Sequence, residues 1–361
     1  MRTALVVGAG YSGAVSARVL ADSGWDVLVI DRRDHIAGNA HDYQDEHGLL
    51  VHKYGPHIFH TNSPEVVNFL SRFTGWRPYE HRVLAKVKKM LLPIPINRTT
   101  LNRLYKLDLK TDEETAAYLD SVRHPVKDIQ NSEDVAFNAV GQELTDLFFR
   151  GYTFKQWGMA LHDLSTSVVS RIPTRTNEDD RYFTDDWQQM PDLGYTEMFR
   201  RMLDHPRIRV ELRKPYDRAE GGWDHTVYTG PLDEFFGHSL GRLPYRSLLF
   251  KHVHYNKEWL QPVGQVNYPS IKIPYTRITE WKHLTGQTHP GTSVAYEYPM
   301  KTGEPFYPVP THASQELKRR YEELARALPD VTFVGRLAQY RYYNMDQACA
   351  AALTAMKRLV D

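Results

Sequence analysis

Thr3-Ala4-Leu5-Val6-Val7-Gly8-Ala9-Gly10-Tyr11-Ser12-Gly13 is the stretch that decides the fold. An apolar, partly β-branched run feeds a Gly-x-Gly-x-x-Gly turn, and a helical pattern follows from Ser12 to about Asp22. Gly8 permits the tight turn, Gly10 lets the backbone approach a pyrophosphate, and Gly13 lets the helix pack close to the strand. The helix start at Tyr11 and Ser12 offers free N–H groups and a positive dipole end to phosphates. A second strand, Trp25 to Ile30, ends at Asp31, 23 residues past Gly8. That is near the ~20 residues that separate the glycines from a carboxylate holding a ribose 2′-hydroxyl. Asp31 speaks against a 2′-phosphate, although Arg32 and Arg33 follow it. The glycines alone would fit a bare glycine-rich turn. Strand, glycines, helix, second strand and acid in register predict a bound dinucleotide.

Composition narrows the rest. With 45 basic and 44 acidic residues, the chain has no global field drawing it to nucleic acid or to a membrane surface. Mean hydropathy is −0.54, and no apolar run approaches the ~20 residues that span a bilayer, so membrane insertion is not expected. The first residues have the outline of a signal peptide, but cleavage would destroy the glycine turn, and a cytoplasmic protein is expected. Cys349 is the one cysteine, so no internal disulfide or cysteine-built metal site can form. The 17 histidines show no zinc-protease spacing, and metal catalysis is not expected.

The nucleotide-binding pattern starts the chain, breaks off and resumes at the end. Residues 1–76, 191–240 and 317–361 read as one discontinuous αβ domain, with a strand at Val331–Arg336 and a last helix from Met345 capped by Asn344. Residues 98–158 read as helical, with a cap at Ser132. Residues 77–97, 159–190 and 241–316 are rich in Thr, Tyr, Val and Pro and read as β, with Pro93 and Pro95 marking edge strands. The fold class is α/β: a Rossmann-like domain carrying an inserted helical bundle and an antiparallel sheet.

Three groups outside the glycine turn carry chemistry. Arg171-Ile172-Pro173-Thr174-Arg175 with Arg181-Tyr182-Phe183, and Pro274-Tyr275-Thr276-Arg277, set arginines beside tyrosines. A guanidinium forks onto phosphate oxygens, although salt bridges on a solvated face are the ordinary explanation. Tyr152 and Trp157 in Gly151-Tyr152-Thr153-Phe154-Lys155-Gln156-Trp157-Gly158 suit stacking on a base, and equally suit packing beside a capping turn. His57 and His60 lie in a glycine- and proline-bent loop where a flavin ring would fit.

Taken in order, these pieces resemble the bacterial UDP-galactopyranose mutase family. Further matching stretches are Gly38-Asn39-Ala40, His52 to Asn62, Tyr228-Thr229-Gly230-Pro231, Glu297-Tyr298-Pro299, Tyr307-Pro308-Val309, Gly335-Arg336-Leu337-Ala338 and Tyr342-Tyr343-Asn344-Met345-Asp346-Gln347. The likeness covers essentially the whole chain and outweighs the ordinary reading of each piece. It implies FAD in the amino-terminal fold, held by Gly8, Gly10, Tyr11, Ser12, Gly13, Asp31, Arg32, Gly38, Asn39, His57, Ile58, Arg336, Tyr343, Asn344, Met345 and Gln347. It implies interconversion of UDP-galactopyranose and UDP-galactofuranose without net redox change. Reduced FAD attacks the anomeric carbon through N5, UDP leaves, and the glycosyl adduct opens and recloses. Arg175 and Arg277 then correspond to the pyrophosphate-binding arginines, and Tyr307 and Tyr342 to the tyrosines that hold the phosphates. Tyr182 corresponds to the residue stacked on uracil. His81, Phe148, Phe149, Tyr152, Thr153, Trp157 and Asn267 would line the rest of the substrate site. Residues 157–180 overlap the family's mobile lid. A small-molecule or NAD(P)H-derived reductant is implied, and a homodimer is open because family members are often dimers.

The chain departs from the family pattern at Ala37, Asn344 and Phe306, which stand where glycine, aspartate and tyrosine are usual. Phe306 removes one hydroxyl near the phosphates and leaves the exact sugar open. A dTDP-fucose type of substrate is the alternative, and an FAD-dependent oxidoreductase the more distant one.

Overall fold

The computed structural model describes residues 2–219 and 221–361. The chain forms two compact units. The first comprises the chain through Tyr79, Asp185–Tyr245 and Ala313–Asp361; the second comprises Glu80–Thr184 and Arg246–His312.

The first unit is built on a five-stranded sheet in the order Ile208–Leu212, Asp26–Asp31, Thr3–Val7, His225–Tyr228, Val331–Phe333. Every pairing is parallel. The two amino-terminal strands are near-continuous apolar runs because a parallel sheet is covered on both faces, and Val6 and Val29 are fully buried. The helices Tyr11–Asp22 and Met345–Val360 belong to this unit. Strand Thr3–Val7 is flanked by Asp26–Asp31, next in sequence, and by His225–Tyr228, some two hundred residues on, so the connections diverge at its carboxyl end. That is the place where open αβ sheets bind ligands. Two smaller sheets complete the unit: Asp42–Gln44 with Leu50–His52, and Phe59–Thr61 with Trp187–Pro191 and Trp76–Pro78.

The second unit contains a seven-stranded sheet in the order Tyr307–Pro308, Tyr245–Tyr255, Thr292–Met300, Arg277–Glu280, Gln265–Asn267, Val83–Val87, Met90–Ile94. Met90–Ile94, which contains Pro93, is an edge strand, where a missing N–H removes no ladder bond. The sheet departs from the expected antiparallel pattern at one joint, because Gln265–Asn267 runs parallel to Val83–Val87. The chain between those strands includes the whole helical insertion, long enough for a crossover.

The helices of this unit are Arg98–Tyr105, Asp112–Val122, Ser132–Leu144 and Gly151–Trp157, with a π-helical turn over Thr145–Arg150. The third helix is capped one residue earlier than expected. Asn131 Oδ1 accepts from the Glu133 and Asp134 N–H groups at 2.9 and 3.0 Å, while the Ser132 hydroxyl donates to the Ser165 carbonyl at 2.6 Å. Gly141 breaks this helix with φ +77°, and a Cβ there would lie 2.0 Å from the Val122 carbonyl oxygen. The apolar faces of the helices and of the Val83–Ile94 hairpin share one core with Val140, Leu144, Phe148 and Phe149.

Residues 159–186, read as β from composition, form no strand; they hold two short 3-10 turns, Leu161–Asp163 and Thr166–Val168, and an isolated bridge from Arg181 to Arg82. Serine and threonine satisfy the backbone locally in this stretch, as where the Ser165 hydroxyl accepts from the Ser167 N–H at 3.4 Å. Only Trp187–Pro191 at its end is a strand, and it pairs within the first unit.

Candidate functional site

The glycine turn of the first unit opens onto a cavity of about 720 Å³, within the roughly 300–1,000 Å³ usual for small-molecule and cofactor sites. Gly8 has φ +104°, and a Cβ there would stand 2.1 Å from Thr229 Oγ1. A Cβ at Gly38 would stand 2.9 Å from the Gly10 Cα, so these two glycines let two backbone segments meet at the cavity wall. Of the residues expected to hold a cofactor, Gly8, Gly10, Tyr11, Ser12, Asp31, Arg32, Gly38, Asn39, His57, Arg336, Tyr343, Asn344 and Met345 line this cavity. Gly13, Ile58 and Gln347 do not. Gly13 packs the helix onto the turn, since its Cβ would fall 1.8 Å from the Gly8 carbonyl oxygen. Gln347 Oε1 accepts from the Asn344 N–H at 3.0 Å and closes the first turn of the last helix.

Asp31 ties the turn to the second strand. Its carboxylate accepts from the Ala9 N–H at 2.8 Å and from the Arg33 N–H at 2.9 Å. Arg33 in turn donates to Asn39 Oδ1 at 3.0 Å. Arg336 donates to the Tyr343 carbonyl and lies 5.2 Å from the centre of the Tyr342 ring. The Tyr11 hydroxyl is buried with no hydrogen-bond partner among the described residues. Burial, reinforced by Tyr195, Cys349, Asp42 and Asp346, holds its pKa well above the ordinary tyrosine value. Sequence reasoning missed Lys214, Tyr216 and Arg218, which also line the cavity. They lie in the loop after the strand Ile208–Leu212, which has no motif of its own.

The second unit gathers a different set. Sheet register places Asn267, Arg277 and Glu297 side by side on three adjacent strands. Arg277 grips Glu297 Oε2 through Nε and Nη2, both at 2.7 Å. Burial alone would lower the Arg277 pKa, but the Glu297 carboxylate overrides it and holds the guanidinium charged. Tyr152 lies in the same field. Its hydroxyl is pushed up by burial, while Arg277 pulls it down and Glu297, Tyr182 and Tyr307 raise it. Asn267 Oδ1 accepts from Gln265 Nε2 at 2.9 Å.

Aromatic side chains extend this cluster. The Trp157 and Tyr307 ring centres are 6.2 Å apart, and His81 meets Tyr182 edge-on at 5.9 Å. The Tyr182 N–H donates to the His81 carbonyl at 2.7 Å. Tyr182 also packs on the core that contains Phe148 and Phe149. Those two phenylalanines sit on the π-helical turn, a local geometry frequent at functional sites. Thr153 is buried on the next helix. Arg175 has its own partners: Nη1 donates to the Asp179 carbonyl at 2.9 Å and to the Arg181 carbonyl, while Nη2 is buried without a partner among the described residues. Glu297 is the residue of this cluster that the sequence did not mark as a site.

Comparison with known proteins gives the family and the fold. The family model for UDP-galactopyranose mutase matches residues 147–342, and that for an NAD(P)-binding Rossmann-like domain matches residues 6–73. The chain is 41% identical over 357 residues to a probable UDP-galactopyranose mutase of Klebsiella pneumoniae, covering 97% of this chain and 92% of that protein. It is 36% identical over 365 residues to the dTDP-fucopyranose mutase of Escherichia coli, covering 98% and 97%. Among solved structures, a reduced UDP-galactopyranose mutase matches with TM-score 0.79 at 16% identity, covering 100% of this chain and 94% of that one. A putrescine oxidase matches with TM-score 0.61 at 15% identity, covering 99% of each; both likenesses speak to the fold. Among the described residues no helix is long and apolar enough to cross a membrane. The glycine turn, the family model over residues 147–342 and the full-length relatives lead to a single assignment: this chain belongs to the UDP-galactopyranose mutase family of enzymes.

Proposed function

We propose that the chain is an FAD-dependent isomerase that interconverts UDP-galactopyranose and UDP-galactofuranose without net redox change, with the flavin reduced. The observation that carries this reading is a pair of largely buried guanidinium groups with unspent donors. Arg277 commits Nε and Nη2 to Glu297, leaving Nη1 without a hydrogen bond among the described residues, and Arg175 Nη2 is buried without a partner. Two such forks, with Tyr152 and Tyr307 in the field of one of them and Tyr182 acting on Tyr152, suit a diphosphate attached to an aromatic base.

The first unit's cavity fits FAD on its own geometry. Gly8 and Gly38 form a cradle that a Cβ would fill, and the last helix begins at the cavity wall with Asn344 and Met345. Asp31 already accepts two backbone bonds, yet a carboxylate has about four lone-pair sites and keeps capacity for a ribose hydroxyl. When bound, reduced flavin supplies a nucleophilic nitrogen for covalent exchange at the anomeric carbon. The protein's own part is orientation and charge. Arg175 and Arg277 hold the diphosphate and stabilise it as it departs, an effect of about 2.7–4 kcal/mol for one such donor. Tyr307 adds a hydroxyl to the phosphates, and Tyr182 stacks on uracil. His81, Phe148, Phe149, Tyr152, Thr153, Trp157 and Asn267 line the nucleotide and sugar. Residues 157–180, which carry Arg175, form the lid of this reading.

The test is incubation of dithionite-reduced protein with UDP-galactofuranose. Rapid appearance of the pyranose only under reduction supports the reading, and equal conversion by fully oxidised protein overturns it. The second reading is the same chemistry on a dTDP-fucose type of sugar. It is favoured by the 36% identity to a dTDP-fucopyranose mutase and by Phe306. Turnover with the dTDP sugar and none with the UDP sugar would select it.

A further inference from the structure

The helix Gly151–Trp157 carries Tyr152, Thr153 and Trp157, and between them sits Lys155, for which the proposed chemistry has no use. Lys155 Nζ donates to three backbone carbonyls: Tyr268 at 2.6 Å, Tyr275 at 2.8 Å and Ile273 at 2.9 Å. An ammonium has three protons, so all are spent. The three acceptors belong to one turn. It leaves the sheet after Asn267 and re-enters it at Arg277, two residues of the arginine–tyrosine cluster.

The turn's own bonds are few: Thr276 ties its end to the Glu297 carbonyl through its N–H at 2.9 Å and its hydroxyl at 3.3 Å, and the Lys272 N–H reaches Ser270 Oγ at 3.3 Å. The Tyr268 N–H donates to the Thr276 carbonyl at 2.8 Å, and the Ile273 N–H to the Ser270 carbonyl at 3.2 Å. The helix meets the turn backbone to backbone, because a Cβ on Gly151 would lie 2.4 Å from the Pro269 carbonyl oxygen. On its other side the helix end is held by Arg246, which donates to the Gln156 carbonyl at 2.9 Å and the Lys155 carbonyl at 3.3 Å.

We propose that Lys155 is a positioning residue whose ammonium fastens the Asn267–Arg277 turn to the helix bearing Tyr152 and Trp157, and so sets the grip on the diphosphate. This consequence for ligand affinity rests on the nucleotide-sugar reading above; the fastening itself does not. Removing the proton takes away one of the three donors and, for all three carbonyls, the charge. Burial pulls Lys155 down to about 8. The titratable or charged groups on the elements packed against it are Tyr152 on its own helix, Arg246 on the strand Tyr245–Tyr255, Tyr296, Glu297 and Tyr298 on the strand Thr292–Met300, and Tyr268, exposed Lys272 and Tyr275 on the turn, and burial is the one cause that moves Lys155. Burial raises Tyr152, Tyr268 and Tyr275 further from neutrality, and an arginine keeps its proton. The clamp is therefore nearly complete by about pH 7, half released near pH 8, and loosens further as pH rises.

The experiment follows hydrogen exchange of the 268–276 peptide by mass spectrometry in the purified full chain. It is run from pH 7 to 9, corrected for intrinsic rates, beside calorimetric titration with UDP. In the unmodified protein, protection of the turn and UDP affinity each fall about tenfold across pH 8, the scale of one charged hydrogen bond. Lys155→Met shows the weakened values at both ends of the range, and Lys155→Arg keeps part of the protection with no step near pH 8. Unchanged protection in Lys155→Met, or no step in the unmodified protein, overturns the proposal; the second holds even if the variant fails to fold. A turn that behaves as expected in a protein that never binds UDP supports the clamp and sinks the nucleotide-sugar reading.

Discussion

Arg277 and Glu297 form a bond that neither can lose alone. Glu297 is 2% exposed, so Arg277→Ala strands a buried carboxylate. The expected cost is about 3–5 kcal/mol of stability, seen as a lowered melting temperature, on top of the loss of most turnover. Combining Arg277→Met with Glu297→Gln recovers most of the melting temperature and none of the turnover. Arg175→Ala makes the cleaner comparison: its hydrogen bonds run to two carbonyls, and its ion-pair partner Asp179, 3.6 Å away, keeps Arg181 at 2.9 Å, so the variant stays folded and yellow while most turnover disappears. Near-normal rates in either arginine variant would remove that residue from the role. Phe306 is 5% exposed and meets Phe250 edge-on at 5.8 Å. Phe306→Tyr should shift KM by no more than about tenfold, since it adds a single hydroxyl; abolished activity would contradict the reading of that pocket. Both arginines were visible in the sequence because they sit in recognisable stretches. Glu297 stood in a matching stretch too but received no role, because it lies 20 residues from Arg277 and only strand register makes them neighbours.

Elements were legible wherever a local signal set them. The amino-terminal strand, glycine turn and helix follow from periodicity and glycine placement alone, and Ser63-Pro64 starts a helix as such a pair should. Residues 159–186 were misread because Thr and Val raise β propensity while the polar side chains here satisfy backbone locally. The parallel joint at Gln265–Asn267 is a matter of topology that no single segment encodes. Gly13 offers the test at this scale. Gly13→Ala places a methyl 1.8 Å from the Gly8 carbonyl oxygen, so the helix must move off its strand. The purified variant should lose most of its absorbance near 450 nm, and full flavin content would show that the helix tolerates the shift.

For the molecule as a whole, stability should fall on the acid side. His35 and His41 stack with ring centres 3.9 Å apart, and burial, helped by His35, depresses His41 to about 4. A histidine whose folded pKa lies below its unfolded value contributes stability that is present above about pH 6.5 and is lost as pH falls towards 4. Asp42 beside it is raised by burial and works in the opposite sense, so the informative comparison is between the unmodified protein and His41→Gln. The melting temperature of the unmodified protein should drop more steeply between pH 6.5 and 4 than that of the variant; parallel curves would remove His41 as the cause.

The first unit draws one sheet from three separated stretches of chain, and Thr3–Val7 lies beside His225–Tyr228. During synthesis at roughly 5–20 residues per second, the opening strand waits on the order of ten seconds or more for that neighbour to leave the ribosome. Through that interval its apolar edge stays open to the wrong partner, so the nascent polypeptide is most vulnerable to aggregation before translation has passed Tyr228.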